Sequence, residues 1–192
     1  LWLAGLTDQA RAGDERAAAL RRIGLAVSKY YVCKRGPAHA AEALECLGGN
    51  GFVEESRMPR LFRESPLGSI WEGSGNVAAL DTLRAIGRQP ETLGILFEGL
   101  EQARGADRRY DEFLTALQNQ FTDLNNLEYR ARTIVGDLAV AIQASLLLRF
   151  GNPAVADGFT GSRHAGSWGN VFGTLDSSID TAAIIARATP KS

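Results

Sequence analysis

The chain has 192 residues, of which 45% are hydrophobic and 22% charged, with a formal net charge of −1. That length holds one large domain or two small ones, with enough Leu, Ile, Val, Ala and Phe for a real core. So small a net charge supplies no global field to gather nucleic acid or a membrane surface. The two cysteines and two histidines show neither a disulfide framework nor metal-ligand spacing, so no metal is expected and the thiols fit a cytoplasmic protein.

Helical signals run the length of the chain. Asp14 after Gly13 is a candidate N-cap, and Leu20, Ile23, Val27 and Tyr30 or Tyr31 then recur at helical spacing. Gly36-Pro37 is expected to kink or break that helix, because proline lacks a backbone donor and crowds the preceding turn. Ala40, Leu44 and Leu47 carry an apolar face up to a stop at Gly48-Gly49. Residues 50–68, charged and marked by Pro59 and Pro66, are expected to be irregular. A further helix is expected to start near Gly73 to Asn76, with Val77, Leu80 and Leu83 on its buried face.

Gln89-Pro90 is the best internal boundary, dividing the chain into 1–89 and 90–192. Beyond it, three apolar series read as amphipathic or buried helices: Leu93 to Leu100, Tyr110 to Phe121, and Leu124 through Leu148. The longest apolar stretch, Ile134 to Phe150, is interrupted by Asp137 and Gln143 and is not expected to span a membrane. Gly161 to Gly173 reads as a glycine-rich loop, followed by a last helix from Asp176 to Ala188. No alternating strand pattern is present, so the fold class is all-α, an antiparallel bundle from 14 to 88 with a helical extension. The chain lacks an initiator Met and opens in apolar sequence without a basic leader, which predicts a piece of a longer polypeptide.

Two runs carry the chemistry: Leu47-Gly48-Gly49-Asn50-Gly51-Phe52, and Ser69-Ile70-Trp71-Glu72-Gly73-Ser74-Gly75-Asn76. In this order and separation they resemble the C-terminal region of the acyl-CoA dehydrogenase family. Cys33 to Gly36 and Glu54 to Leu61 are most similar to its AidB-like branch, the alkylation-response flavoproteins. The resemblance implies an FAD-binding homotetramer that dehydrogenates an acyl-CoA thioester, with Glu72 at the position of the catalytic base. It also implies flavin contacts at Gly49, Trp71, Gly73, Ser74 and Asn76. Turnover in that branch is expected to be poor. The N-terminal helical domain and β-domain of the family are not in this sequence, so the chain by itself is not expected to be active.

The residues admit plainer readings as well. Removing a proton α to a thioester needs a carboxylate set against that carbon in dry surroundings. A glutamate in the first turn of a helix also serves as an electrostatic cap. Gly48 to Gly51 can bring backbone N–H groups close to a phosphate, or simply end a helix. Arg57, Arg60 and Arg63, interleaved with Glu54, Glu55 and Glu64, read as a solvated or structural face.

In the AidB-like branch the segment after these motifs is a helical extension implicated in binding double-stranded DNA. Arg104, Arg108 and Arg109, with Arg130 and Arg132 on the next helix, are the candidate phosphate contacts. From Pro90 onward, however, nine basic residues face twelve acidic ones, and the five arginines also read as ordinary surface residues.

Overall fold

The computed structural model of the chain describes residues 1–123, 125–165 and 171–190. Ten α-helices follow in order among them: α1 (Trp2–Arg11), α2 (Glu15–Cys46), α3 (Gly49–Phe52), α4 (Met58–Glu64), α5 (Gly75–Arg88), α6 (Glu91–Glu101), α7 (Arg108–Asn119), α8 (Ala131–Phe150), α9 (Pro153–Arg163) and α10 (Thr181–Ala188). A 3-10 helix, Ser65–Ser69, links α4 to the turn before α5. No strand occurs among the described residues, and the all-α expectation holds.

Compactness divides the chain into two units. The first comprises Leu1–Leu96 with Asn125–Ala139, and the second Phe97–Leu124 with Val140–Ser192. The first unit is organised on α2, which packs against α1, α3, α4, α5 and the 3-10 helix. Asp14 caps α2 as its sequence suggests, accepting the Ala17 N–H at 2.9 Å. Ile23 and Val27 are fully buried. Arg22 in α2 donates to Asp81 in α5 at 3.0 Å on an exposed edge.

Of the kink or break expected at Gly36-Pro37, the break does not occur: α2 continues through Pro37 as a single 32-residue helix. Proline removes the donor that would bond the carbonyl four residues earlier, here that of Cys33. The Ser69 hydroxyl donates to that carbonyl instead, at 2.7 Å. A tertiary hydrogen bond thus takes over the orphaned acceptor.

The stretch expected to be irregular is largely helical, because Pro59 and Pro66 stand in the first turns of α4 and the 3-10 helix. There a missing N–H costs nothing and the fixed φ suits a helix. The buried face of α5 is also offset from the expected one. Gly75, Ala78, Ala79, Thr82, Leu83 and Ala85 are buried, Leu80 is half-buried, and Val77 is 49% exposed.

Helix α8 starts at Ala131, later than expected. Residues 125–130 form turns, and Leu124, where that helix was expected to begin, lies outside the described residues. By length and composition α8 could cross a membrane, with a mean hydropathy of 1.5, but half of it is buried inside the protein, as in a core helix. Helix α9 absorbs Gly161, so the expected glycine loop is shorter, and its residues 166–170 lie outside the described residues. The last helix begins at Thr181 rather than Asp176. Asp180 is its N-cap, and Asp176 instead accepts the N–H and hydroxyl of Ser178.

The second unit closes around Tyr110, Leu114 and Leu117 of α7, with Leu100, Ala141, Ala144 and Ala156 also buried. The Tyr110 hydroxyl donates to the Leu100 carbonyl at 2.8 Å, and burial pushes its pKa up to about 12. Phe121, beyond the end of α7, meets Phe97 edge to face with ring centres 5.7 Å apart.

Candidate functional site

Glu72 sits on the turn between the 3-10 helix and α5, outside any helix. The N-cap of α5 is Ser74, so Glu72 is no first-turn cap. Its φ is +50°, in the left-handed region, and Gly73 follows at +96°. For glycine that conformation is free of the Cβ clash. For a glutamate it costs roughly 1–2 kcal/mol, which the surroundings must offset. Backbone strain of this kind is concentrated at functional sites, where it fixes one presentation of a side chain.

Helix α2 supplies the hold. The Lys29 ammonium donates to the carbonyls of Gly68 at 2.8 Å, Trp71 at 2.9 Å and Gly73 at 2.7 Å. These three acceptors match its three donors. One turn further along α2 is the Cys33 carbonyl that receives the Ser69 hydroxyl. Neither Lys29 nor Ser69 is marked by the sequence motifs as a functional side chain. Their only signal there is indirect: Lys29 is one of three lysines in an arginine-rich chain, and Pro37 frees a carbonyl for a partner.

The expected flavin residues lie around the same turn. Trp71, Ser74 and Asn76 are exposed and Gly73 is half-buried. Ser74 makes no capping bond with its side chain. Glu72 is exposed, as are Ile70 and Trp71 on its N-terminal side, so these residues alone do not build the dry pocket a carboxylate base requires.

Gly49, also exposed, lies in the short helix α3, after Gly48 at φ +58°. Beside it is an open groove of about 830 Å³ lined by Ala41, Leu44, Phe52, Val53, Pro59 and Phe62. Arg63 and Glu54 stand on its rim and pair through both guanidinium nitrogens, at 2.7 and 3.2 Å. The hydrogen bond from Arg63 holds the Glu54 carboxyl below its usual range. Both side chains are mostly exposed, so the pair braces α4 and adds little stability. Among the described residues no group of three His, Cys, Asp or Glu could hold a metal ion.

The five arginines considered for phosphate contact are divided between the two units. Arg130 and Arg132 fall in the first unit, and Arg104, Arg108 and Arg109 in the second. Each of the latter three is engaged by a carboxylate: Arg104 by Glu101, Arg108 by Glu112, and Arg109 by both Asp107 and Asp157. The hydrogen bonds from Arg109 pull Asp107 down to about 2. Arg130 donates to the Asn125 carbonyl at 3.2 Å.

The helical frame, the glycine turn and the Trp71-Glu72-Gly73 turn lie in the part of the chain that resembles an acyl-CoA dehydrogenase C-terminal domain. The family profile described as "Acyl-CoA dehydrogenase, C-terminal domain" matches residues 4–87, and that part of the chain belongs to this family. AidB of Escherichia coli (strain K12) is 39% identical over 151 residues, covering 77% of this chain and 28% of AidB. Acyl-CoA dehydrogenase family member 11 of Caenorhabditis elegans is 35% identical over 112 residues, 58% of this chain and 18% of that protein. The chain therefore spans less than a third of these curated relatives. Among solved structures, Bd2924 in its apo form superposes with a TM-score of 0.69 at 30% identity, over 78% of this chain and 29% of that one. Caenorhabditis elegans ACDH-11 in complex with C11-CoA superposes with a TM-score of 0.74 at 21% identity, over 100% of this chain and 37% of that one, a likeness of fold.

Proposed function

We propose that this chain is the C-terminal part of a longer, FAD-dependent acyl-CoA dehydrogenase of the AidB-like branch, in which Glu72 is the base. The observation that carries this reading is the presentation of Glu72, a carboxylate held at φ +50° on an exposed turn, directly before the N-terminus of α5. The bond between hydrogen and the α-carbon of the thioester breaks toward a Glu72 oxygen. The electron pair left behind forms the α,β double bond as the β-hydrogen departs with its own pair. Bound FAD supplies the acceptor for that hydride.

The residues here fit such a cofactor. Ser74 and Asn76 offer uncommitted polar side chains, Trp71 an exposed aromatic face, and Gly73 and Gly49 close backbone approach. As the α-proton leaves, charge builds on the thioester oxygen, and a backbone N–H beside the base is the economical donor to meet it. That of Glu72 is suitably placed in sequence. The acyl-CoA substrate class is supported by the C11-CoA bound to ACDH-11.

Ile70, Trp71 and Phe52 are open apolar surfaces, from 58% to 78% exposed, where the rest of the polypeptide and neighbouring subunits of a tetramer close in and exclude water. Free thiols at Cys33 and Cys46 support a reducing, cytoplasmic setting. A DNA-binding role for the extension finds no such support among the described residues, since Arg104, Arg108 and Arg109 already serve carboxylates.

The test is Glu72→Gln in the full-length protein. The amide keeps shape and hydrogen bonding but cannot take the proton. Flavin content should stay the same while acyl-CoA-dependent flavin reduction falls by about 10²-fold or more. Undiminished reduction would assign the base to another residue.

A further inference from the structure

We propose that Lys29 is a positioning residue of the site, a role that rests on Glu72 being the base. By gathering the carbonyls of Gly68, Trp71 and Gly73, its ammonium fixes the turn that presents the Glu72 carboxylate and aims the Glu72 backbone N–H.

The geometry has three parts. First, two of the acceptors flank Glu72 directly, one on each side in sequence, so the hold closes over the single residue that carries the chemistry. Second, a trans peptide points its C=O and N–H in opposite directions. With the Trp71 carbonyl turned to Lys29, the N–H of Glu72 is turned away from α2. The same holds for the Gly73 carbonyl and the N–H of Ser74. Lys29 therefore sets the orientation of the donors available to a bound thioester and cofactor as well as that of the carboxylate. Third, the left-handed conformation at Glu72 is unfavourable for a residue with a side chain, and nothing in the local sequence enforces it. Its enforcement comes from 39 to 44 residues earlier in the chain.

Other groups on α2 brace the same turn. The Ser69 hydroxyl bonds the Cys33 carbonyl that Pro37 leaves unpaired. A side chain at Gly75 would come within 2.7 Å of the Lys34 side chain, so α5 begins in close contact with α2. What Lys29 adds is the direction of the carbonyls. A neutral side chain of equal length would fill its space without attracting them, and arginine's planar fork does not match three acceptors that converge on one atom.

The experiment uses the full-length flavin-loaded protein in four forms: wild type, Lys29→Met, Lys29→Arg and Glu72→Gln. It measures flavin content, acyl-CoA-dependent flavin reduction per bound flavin, and exchange of the substrate's α-proton with deuterated solvent. Straight-chain acyl-CoAs of several lengths serve as probes. A displacement of the reacting group by about 1 Å costs up to about 10²-fold. Lys29→Met should accordingly keep its flavin but lose roughly 10- to 100-fold in both limiting reduction rate and α-proton exchange, with KM within about threefold of wild type. Lys29→Arg should recover only part of the loss.

A purely structural lysine predicts a different pattern: less folded, flavin-loaded protein but an unchanged rate per flavin, and that result overturns the proposal. So does an unchanged Lys29→Met beside an inactive Glu72→Gln, which leaves the base assignment standing. An active Glu72→Gln, or a wild type without flavin reduction, defeats the base assignment first and the role of Lys29 with it.

Discussion

In the unit that holds the two motif runs, Lys29 of α2 donates to backbone carbonyls and Ser69 donates to a carbonyl of α2, while Phe52, Leu61, Ile70 and Trp71 are all exposed. In the unit around Tyr110 the polar bonding differs. Its polar side chains bind one another in a closed set of Arg109, Asp107, Asp157 and Thr160. Tyr110 is buried there, and Phe113 stacks on His164 at 4.3 Å between ring centres. Both units leave large apolar side chains exposed, the second at Phe150, Val171 and Ile185, but only the second ties its charged side chains into one closed set. Monomeric proteins rarely expose contiguous apolar patches without a partner for them. The apolar side chains exposed beside the motif runs, Phe52, Ile70 and Trp71, are the surface proposed above to receive other chain segments and ligands.

The contrast can be tested, starting where the expected effect is largest. Leu114, fully buried in α7, should cost about 2–5 kcal/mol on change to Ala, read as a lower urea midpoint in circular dichroism. Leu61 of α4 is 57% exposed, and Leu61→Ala in the same chain should change stability by less than about 0.5 kcal/mol. Similar costs at both positions would show that Leu114 is not held in a packed core.

Acid should act next, and on the second unit. Burial pushes His164 down to about 4 from its usual 6.5, so the folded state resists a proton that the unfolded state accepts. Stability contributed in this way is complete above about 6.5 and is lost as pH falls toward 4. Asp107, lowered to about 2 from 3.8 mainly by its hydrogen bond from Arg109, extends the loss below that window. Thermal midpoints measured from pH 7.5 to 4.5 should fall for wild type and change less for His164→Asn. Equal slopes would show that the imidazole is not excluded from water.

The smallest effect is expected at the arginines. Changing Arg104, Arg108, Arg109, Arg130 and Arg132 together to Ala should alter duplex-DNA affinity by less than about twofold at either of two salt concentrations, because three of them are already neutralised by carboxylates. A salt-dependent drop in the variant would mean that these ion pairs open to receive phosphate.

Much of this was legible in the residues. The period of Leu20, Ile23 and Val27 behind Asp14 announces α2, because a side chain buried every three or four residues needs a helix. The glycine turn and the Trp71-Glu72-Gly73 run likewise mark the region of the candidate site without coordinates, since their residue types are local requirements of backbone approach and charge. Local rules placed the stop of α2 at Gly48-Gly49, but at the prolines they foresaw too much interruption. Pro37 ends no helix because Ser69 replaces the lost bond, and Pro59 starts a helix rather than preventing one.

What the sequence by itself determined is the all-α class, the helix periodicities and the identity of the candidate carboxylate, all encoded in short-range spacing. Only the tertiary structure decided the rest: which arginines are occupied, and how Glu72 is presented. Those depend on pairs such as Lys29 with Gly73, 44 residues apart, whose meeting is set by the packing of α2 against its neighbours and leaves no local trace.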